Sequence, residues 1–167
     1  MPTIELPWFG KLDTGSLEEY YEQENVEIEG MAIDIDLNFE NNAIEEERLI
    51  ATRKFLEQMP KWIAQNRKYI QDNIRDEDDD TVREYADYLV EVLSEDELAQ
   101  LIDADDDTED RTAWIAGKLQ LVRVGLYPDS AQHFAIFDYT IGRQLVDYLV
   151  VINTDENGQL DYMTMES

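Results

Sequence analysis

The sequence predicts an α+β domain, in which an antiparallel sheet built from N- and C-terminal strands packs one face against a central set of helices. Three patterns in order along the 167 residues support this: alternating apolar and polar residues in the first third, apolar residues at helical spacing in the middle, and runs rich in β-branched and aromatic residues in the last third. A chain of this length is typical of one domain, so residues 1–167 are expected to form a single domain.

The first third contains the clearest predicted strand. In residues 31–39 every second residue is apolar, and Asp34 and Asp36 point to the opposite side. We therefore expect both carboxylates to project from a solvent-facing side of the sheet. The alternation changes phase at Gly30, which predicts a bulge or tight turn there, and another strand is predicted over residues 4–12.

The middle of the chain predicts helices, and the last third predicts strands. One helix is expected over residues 44–59, and Pro60 separates it from a second helix that ends near Arg75. Capping boxes, in which Ser or Thr precedes Glu by three residues, predict further helix starts at Thr81 and Ser94. The C-terminal strands are predicted over residues 118–127, 133–141, 148–153 and 160–165, with a hairpin loop at 154–158.

The charge of the chain is its most unusual property. Forty Asp and Glu residues face thirteen Lys and Arg residues, which gives a formal net charge of -27. Aromatic residues make up 10% of the chain, which is atypical of a disordered acidic tail. A field of this sign repels nucleic acid and anionic membranes and attracts basic proteins. Charge alone is equally compatible with a role in solubility or in adaptation to high salt.

The sequence offers little for catalysis or cofactors. It has no cysteine and one histidine, His133, and its glycines are scattered, so no nucleophilic triad, zinc site or phosphate-binding loop is predicted. Carboxylates alternate in residues 103–107 as in a calcium loop, but Thr108 and Trp114 occupy positions that require Gly and Glu. No cofactor and no metal is therefore expected. The first twelve residues predict no signal peptide, and a cytoplasmic location is expected.

Two acidic runs, residues 76–80 and 103–110, fall in predicted connections between helices. They hold more charge than helix capping requires, and loops often carry binding residues. We expect the first partner-binding surface there, and Asp34 with Asp36 to form a second patch. The residues expected to contact a partner in these runs are Asp78, Asp79, Asp80, Asp105, Asp106 and Asp107.

The C-terminal segment carries a resemblance to a known group. The motifs are Phe137-Asp-Tyr-Thr-Ile-Gly142, Asp147-Tyr-Leu-Val-Val151, Asp155-Glu-Asn-Gly158 and Met163-Thr-Met-Glu-Ser167. Together they resemble a family of small, acidic bacterial domains of unknown function, some relatives of which are thought to be immunity proteins for polymorphic or contact-dependent toxins. The resemblance covers about the last 35 residues and carries over no functional residue.

Three functional hypotheses follow from the sequence. The first is a non-catalytic immunity or inhibitor protein that binds a basic, nuclease-like toxin through acidic side chains. The second is a bacterial regulatory or adaptor protein whose acidity serves solubility. The third is an enzyme with paired carboxylates, and no recognisable motif supports it.

Overall fold

The computed structural model describes residues 2–101 and 111–167. Strands come first, helices follow and strands return, which is the order that the sequence predicts, and the α+β class is confirmed. The elements are β1 (Thr3–Leu6), β2 (Gly10–Asp13), β3 (Tyr20–Ile28), β4 (Met31–Asn38), α1 (Glu46–Glu57), α2 (Met59–Arg75), α3 (Thr81–Val92), α4 (Glu95–Leu101), α5 (Arg111–Lys118), β5 (Gln120–Leu126), β6 (Ala135–Thr140), β7 (Leu149–Thr154) and β8 (Leu160–Glu166).

Six strands form one sheet in the order β3-β4-β5-β6-β7-β8. Four of the five pairings are antiparallel, as the sequence predicts, and the pairing of β4 with β5 is parallel. The parallel pair arises because the chain leaves β4 through the helices before it returns to β5, and only such a long crossover can join parallel neighbours. This junction joins the N-terminal strands of the sheet to the C-terminal ones.

The single strand predicted over residues 4–12 is instead a separate hairpin of β1 and β2. The chain reverses after Pro7, where Trp8 adopts a φ of 67° and Gly10 a φ of 78°. The tight turn predicted at Gly30 is confirmed: Glu29 and Gly30, with φ values of 51° and 81°, connect β3 to β4. Two consecutive residues of positive φ match the twist of a two-residue hairpin.

One face of the sheet is buried against the helices, and the hairpin of β1 and β2 packs near α1. Ile33, Ile35 and Leu37 of β4 are fully buried on this inner face, as their alternation predicts. Apolar residues of the hairpin, the sheet and the helices belong to one continuous core. Among the described residues, no helix combines the length and the apolar character that a membrane span requires.

Helix α2 holds the β7–β8 hairpin against the helical layer. The Trp62 ring stacks on Phe55 at 4.9 Å between ring centroids and lies directly over Gly158 in the hairpin loop. Two turns further along α2, the Tyr69 hydroxyl donates a hydrogen bond to the Gly158 carbonyl at 2.9 Å. Gly158 has a φ of 74°, so the loop predicted from Asn157-Gly158 is confirmed.

The two predicted capping boxes have different outcomes. The box at Ser94 is confirmed, because the Ser94 hydroxyl accepts a hydrogen bond from the Glu97 amide and the Glu97 carboxylate accepts one from the Ser94 amide. The box at Thr81 is wrong. The Asp79 carboxylate accepts a hydrogen bond from the Thr81 amide instead. The side-chain oxygen of the buried Asn73 of α2 accepts one from the Val82 amide at 2.9 Å.

Replacing Gly158 with alanine should destabilise the protein more than replacing Gly10 does. Both glycines have positive φ, so both variants carry the same kind of backbone strain. A Cβ at Gly158 would lie 2.3 Å from the Trp62 ring, whereas a Cβ at Gly10 would meet nothing within 4 Å. We expect Gly158→Ala to lower the free energy of unfolding in urea by about 1–3 kcal/mol beyond the loss in Gly10→Ala. Equal losses would contradict the packing of Trp62 on the hairpin.

Candidate functional site

The face of the six-stranded sheet that points away from the helices, here called the outer face, is the candidate functional site. One row of residues crosses it in register from edge to edge. Five strand spacings give this row a length of about 24 Å. In order from β3 to β8, the row contains Glu22, Asp36, Gly125, Ile136, Asn153 and Tyr162.

Arg123 of β5 lies at the centre of the outer face between two aspartates. Its Nε and Nη2 atoms donate hydrogen bonds to the two carboxylate oxygens of Asp36 at 2.7 and 3.0 Å. Its Nη1 atom donates to Asp138 of β6 at 3.1 Å. The Asn38 side chain donates a further hydrogen bond to Asp36 at 2.7 Å. Arg123 therefore joins β4, β5 and β6 through their side chains.

Gly125 provides the space for this arrangement. A Cβ at this position would lie 2.7 Å from the Arg123 Nη2 atom and 3.2 Å from an oxygen of Asp36. The guanidinium group consequently lies over the backbone of Gly125, where any larger residue would displace it. This role depends on a close approach and not on backbone conformation, because Gly125 has no positive φ.

Arg123 donates two hydrogen bonds to Asp36 and one to Asp138. Hydrogen bonds with Asp36 raise the pKa of Arg123 further above its ordinary value, and Asp138 adds to this effect. Burial raises the pKa of Asp138, and its one hydrogen bond to Arg123 offsets that effect only in part. The shifts agree with the geometry, since Asp36 takes two of the three hydrogen bonds that Arg123 donates to the pair.

The expectation that Asp34 and Asp36 form an exposed patch is half correct. The Asp36 side chain is only 3% exposed and ion-paired, so it is not a free surface carboxylate. Packing across the strands around Arg123 buries the Asp36 side chain. The alternation of apolar and polar residues in β4 could not reveal this packing. Asp34 is one-third exposed, lies 4.0 Å from Arg143 and accepts a hydrogen bond from the Asn25 amide at the β3 bulge.

Three carboxylates at the β3 side of the sheet form a cluster, here called the acidic edge: Glu22, Glu24 and Asp34. A hydrogen bond from the exposed Tyr20 lowers the pKa of Glu22, and the same bond raises the pKa of Tyr20 to about 12. A hydrogen bond with Glu22 and the negative charges of Glu22 and Asp34 raise the pKa of Glu24. The raised pKa of Glu24 thus reflects its hydrogen bond with Glu22 and the negative charge of its neighbours at the acidic edge.

Sequence reasoning missed Glu22 and Glu24, although a signal was available. Residues 1–45 contain twelve acidic residues and one basic residue, Lys11. The net negative charge of this segment exceeds that of either short acidic run, although its acidic residues are more widely spaced. Only the pairing of β3 with β4 brings Glu22 and Glu24 beside Asp34.

The acidic loop predicted at residues 76–80 does not lie beside the acidic edge. Asp78 and Asp80 are exposed in the connection between α2 and α3, while Asp79 is half-buried and accepts hydrogen bonds from the Thr81 amide and hydroxyl. The Thr81 hydroxyl also reaches the backbone of β8, so this loop lies near the edge of the sheet opposite to the acidic edge. Asp105, Asp106 and Asp107 lie outside the described residues.

A pocket of about 190 Å³ lies at the β8 end of the row. Tyr127, Ile136, Asn153 and Tyr162 line it, together with His133 and Ala135. The Nδ1 atom of His133 lies 3.1 Å from the Asp161 carboxylate. Within the described ranges, no group of three or more acidic or histidine side chains has the arrangement of a metal site.

Comparison of the chain with family models, with curated proteins and with solved structures finds no match in any of the three. The resemblance of the C-terminal segment to acidic bacterial immunity domains therefore stays a prediction. In the absence of a match, the geometry and the charge of the outer face are the features that bear on function.

Replacing Asp36 and Asp138 separately with asparagine should have opposite effects on stability at neutral pH. Asp36→Asn weakens two charge-assisted hydrogen bonds, so we expect a loss of about 1.5–3 kcal/mol in the free energy of unfolding. Asp138→Asn removes a carboxylate that burial disfavours and keeps an oxygen that accepts from Arg123. We expect it to be neutral or stabilising by about 1 kcal/mol.

The pH dependence supplies the check on Asp138. The pKa of Asp138 is raised in the folded state, so the folded protein binds more protons than the unfolded chain. Asp138 therefore lowers the stability of the fold as the pH rises above about 3.9, the ordinary pKa of Asp in an unfolded chain. Any advantage of Asp138→Asn over the parent should appear above that pH and vanish below it, as measured by urea unfolding at a series of pH values. A loss at pH 7 as large as that of Asp36→Asn would contradict the unequal binding of the two aspartates.

Proposed function

We propose that the protein is a non-catalytic inhibitor, an immunity protein that binds a basic, nuclease-like toxin in the bacterial cytoplasm. The acidic edge is the observation that supports this most. Among the described residues, Glu22 and Glu24 form no ion pair, and the negative charges of Glu22 and Asp34 raise the pKa of Glu24. Cationic side chains from a partner would offset this negative charge.

The distribution of charge supports an orientation for the partner. Helices α1 and α2 contain seven of the thirteen basic residues and only four acidic ones, whereas residues 1–45 contain twelve acidic residues and one basic residue. A basic protein is therefore attracted more strongly to the β3 and β4 end than to the α1 and α2 side. Such asymmetry steers association and raises its rate by roughly 10- to 1,000-fold.

A nuclease is the toxin class that this charge fits. Enzymes that bind nucleic acid neutralise phosphates with Lys and Arg, so their active-site surfaces are basic. An inhibitor that presents carboxylates to such a surface competes with the polyanionic substrate and blocks it. Inhibition of this kind needs no catalytic group in the inhibitor.

The first experiment identifies the partner and its salt dependence. The tagged protein is expressed in the source cells, and bound proteins are recovered after washes at low and at high salt. We expect one basic partner at a one-to-one ratio that is lost progressively as salt rises, because screening weakens exposed charge pairs. Recovery of a neutral partner that is indifferent to salt would favour the regulatory or adaptor alternative, in which acidity serves solubility.

Matched charge variants then test the acidic edge against the acidic loop. The double variant Glu22→Gln and Glu24→Gln removes two charges from the acidic edge, and the control Asp78→Asn and Asp80→Asn removes two from the exposed loop. We expect the first to slow association with the recovered partner by about 2- to 10-fold and to reduce its salt dependence, since charges at an interface act mainly on the association rate. The control should change it less. A larger effect in the control would move the binding surface to the α2–α3 loop.

A further inference from the structure

We infer that the pocket between Tyr127 and Tyr162 on the outer face is a receptor for one arginine side chain of the protein's partner. This inference rests on the proposed function and names a contact within it. The volume of the pocket, about 190 Å³, is smaller than the roughly 300–1,000 Å³ of pockets that hold drug-sized ligands. A single amino-acid side chain is the matching occupant.

The lining of the pocket selects a flat, cationic group with an apolar stem. Ile136 and Ala135 supply apolar contact, and two tyrosines, Tyr127 and Tyr162, also line the pocket. Tyr162 is 53% exposed, so its ring is available to an incoming group. Aromatic faces attract cations, and arginine is the side chain that most often occupies them.

One carboxylate next to the pocket lining has the sign that a guanidinium requires. Asp161 does not itself line the pocket, but its carboxylate lies 3.1 Å from the Nδ1 atom of His133, which does. Among the described residues, the Lys and Arg side chains that lie over aromatic rings do so at Phe134, Trp62 and Tyr139 and not at the two pocket tyrosines. The two pocket tyrosines are thus left for a cation from outside.

The position of the pocket connects it to the acidic edge. Tyr162 and Glu22 end the same in-register row, about 24 Å apart, on one continuous face of the sheet. A standard interface covers about 800 Å² on each partner, so one bound protein reaches both ends of the row. Steering by the acidic edge and anchoring in the pocket are then two parts of one contact, and tyrosine and arginine are the residues that most often act as anchors.

The test uses a short, acetylated and amidated peptide with arginine residues, and the same peptide with neutral citrulline in their place. Binding is followed by nuclear magnetic resonance shifts of Ile136 and Tyr162. We expect the arginine peptide to shift both residues, the citrulline peptide to bind more weakly, and Tyr162→Ala to reduce affinity by about 3- to 10-fold. The conservative variant Tyr162→Phe, which keeps an aromatic face, should retain most of the affinity.

Equal binding of the two peptides, or full affinity in Tyr162→Ala, would overturn the arginine receptor. These results leave the proposed function intact if the partner still responds to the Glu22 and Glu24 variants. Conversely, if the arginine peptide binds as expected but no basic partner is recovered from cells, the proposed function fails and the pocket stands. The peptide and the partner therefore separate the two inferences.

Discussion

The ion pair of Arg123 with Asp36 and Asp138 is the interaction on which the outer face depends. It lies across the parallel junction of β4 and β5, where the N-terminal strands meet the C-terminal ones. Two carboxylates that are nearly buried on a sheet are costly unless a cation compensates them. Arg123 pairs with both, although it compensates Asp138 only in part, and Gly125 leaves the guanidinium the room it needs. One positive charge thus offsets part of the negative charge at the centre of the outer face.

The carboxylates of the outer face that Arg123 does not bind lie towards its edges. Glu22 and Glu24 lie on the edge strand β3, and Asp78 and Asp80 lie in a loop near the opposite edge. Charges on an edge strand also discourage other chains from pairing with it. A chain of net charge -27 thereby limits self-repulsion within its core while it keeps a field that acts on other molecules.

The C-terminal hairpin shows how local and long-range forces combine. Asn157-Gly158 specifies the turn, but its place in the fold depends on Trp62 and on the ion pair between Arg48 and Glu156, whose atoms are 2.6 Å apart. Arg48 also donates to the carbonyl of Pro128 at 2.8 Å. One residue of α1 thus ties the β5–β6 and β7–β8 connections to the helical layer.

The sequence by itself determined the α+β class, the inner face of β4 and the turns at Gly30 and Gly158, because period-two alternation and positive φ are local properties. It also determined the acidity. Only the tertiary structure decided that Asp36 is buried against Arg123, that Glu22 and Glu24 stand beside Asp34, and that Tyr127 and Tyr162 share a pocket. Each of these depends on strand neighbours and register, and the parallel pairing of β4 with β5 brings together residues almost ninety positions apart in the chain.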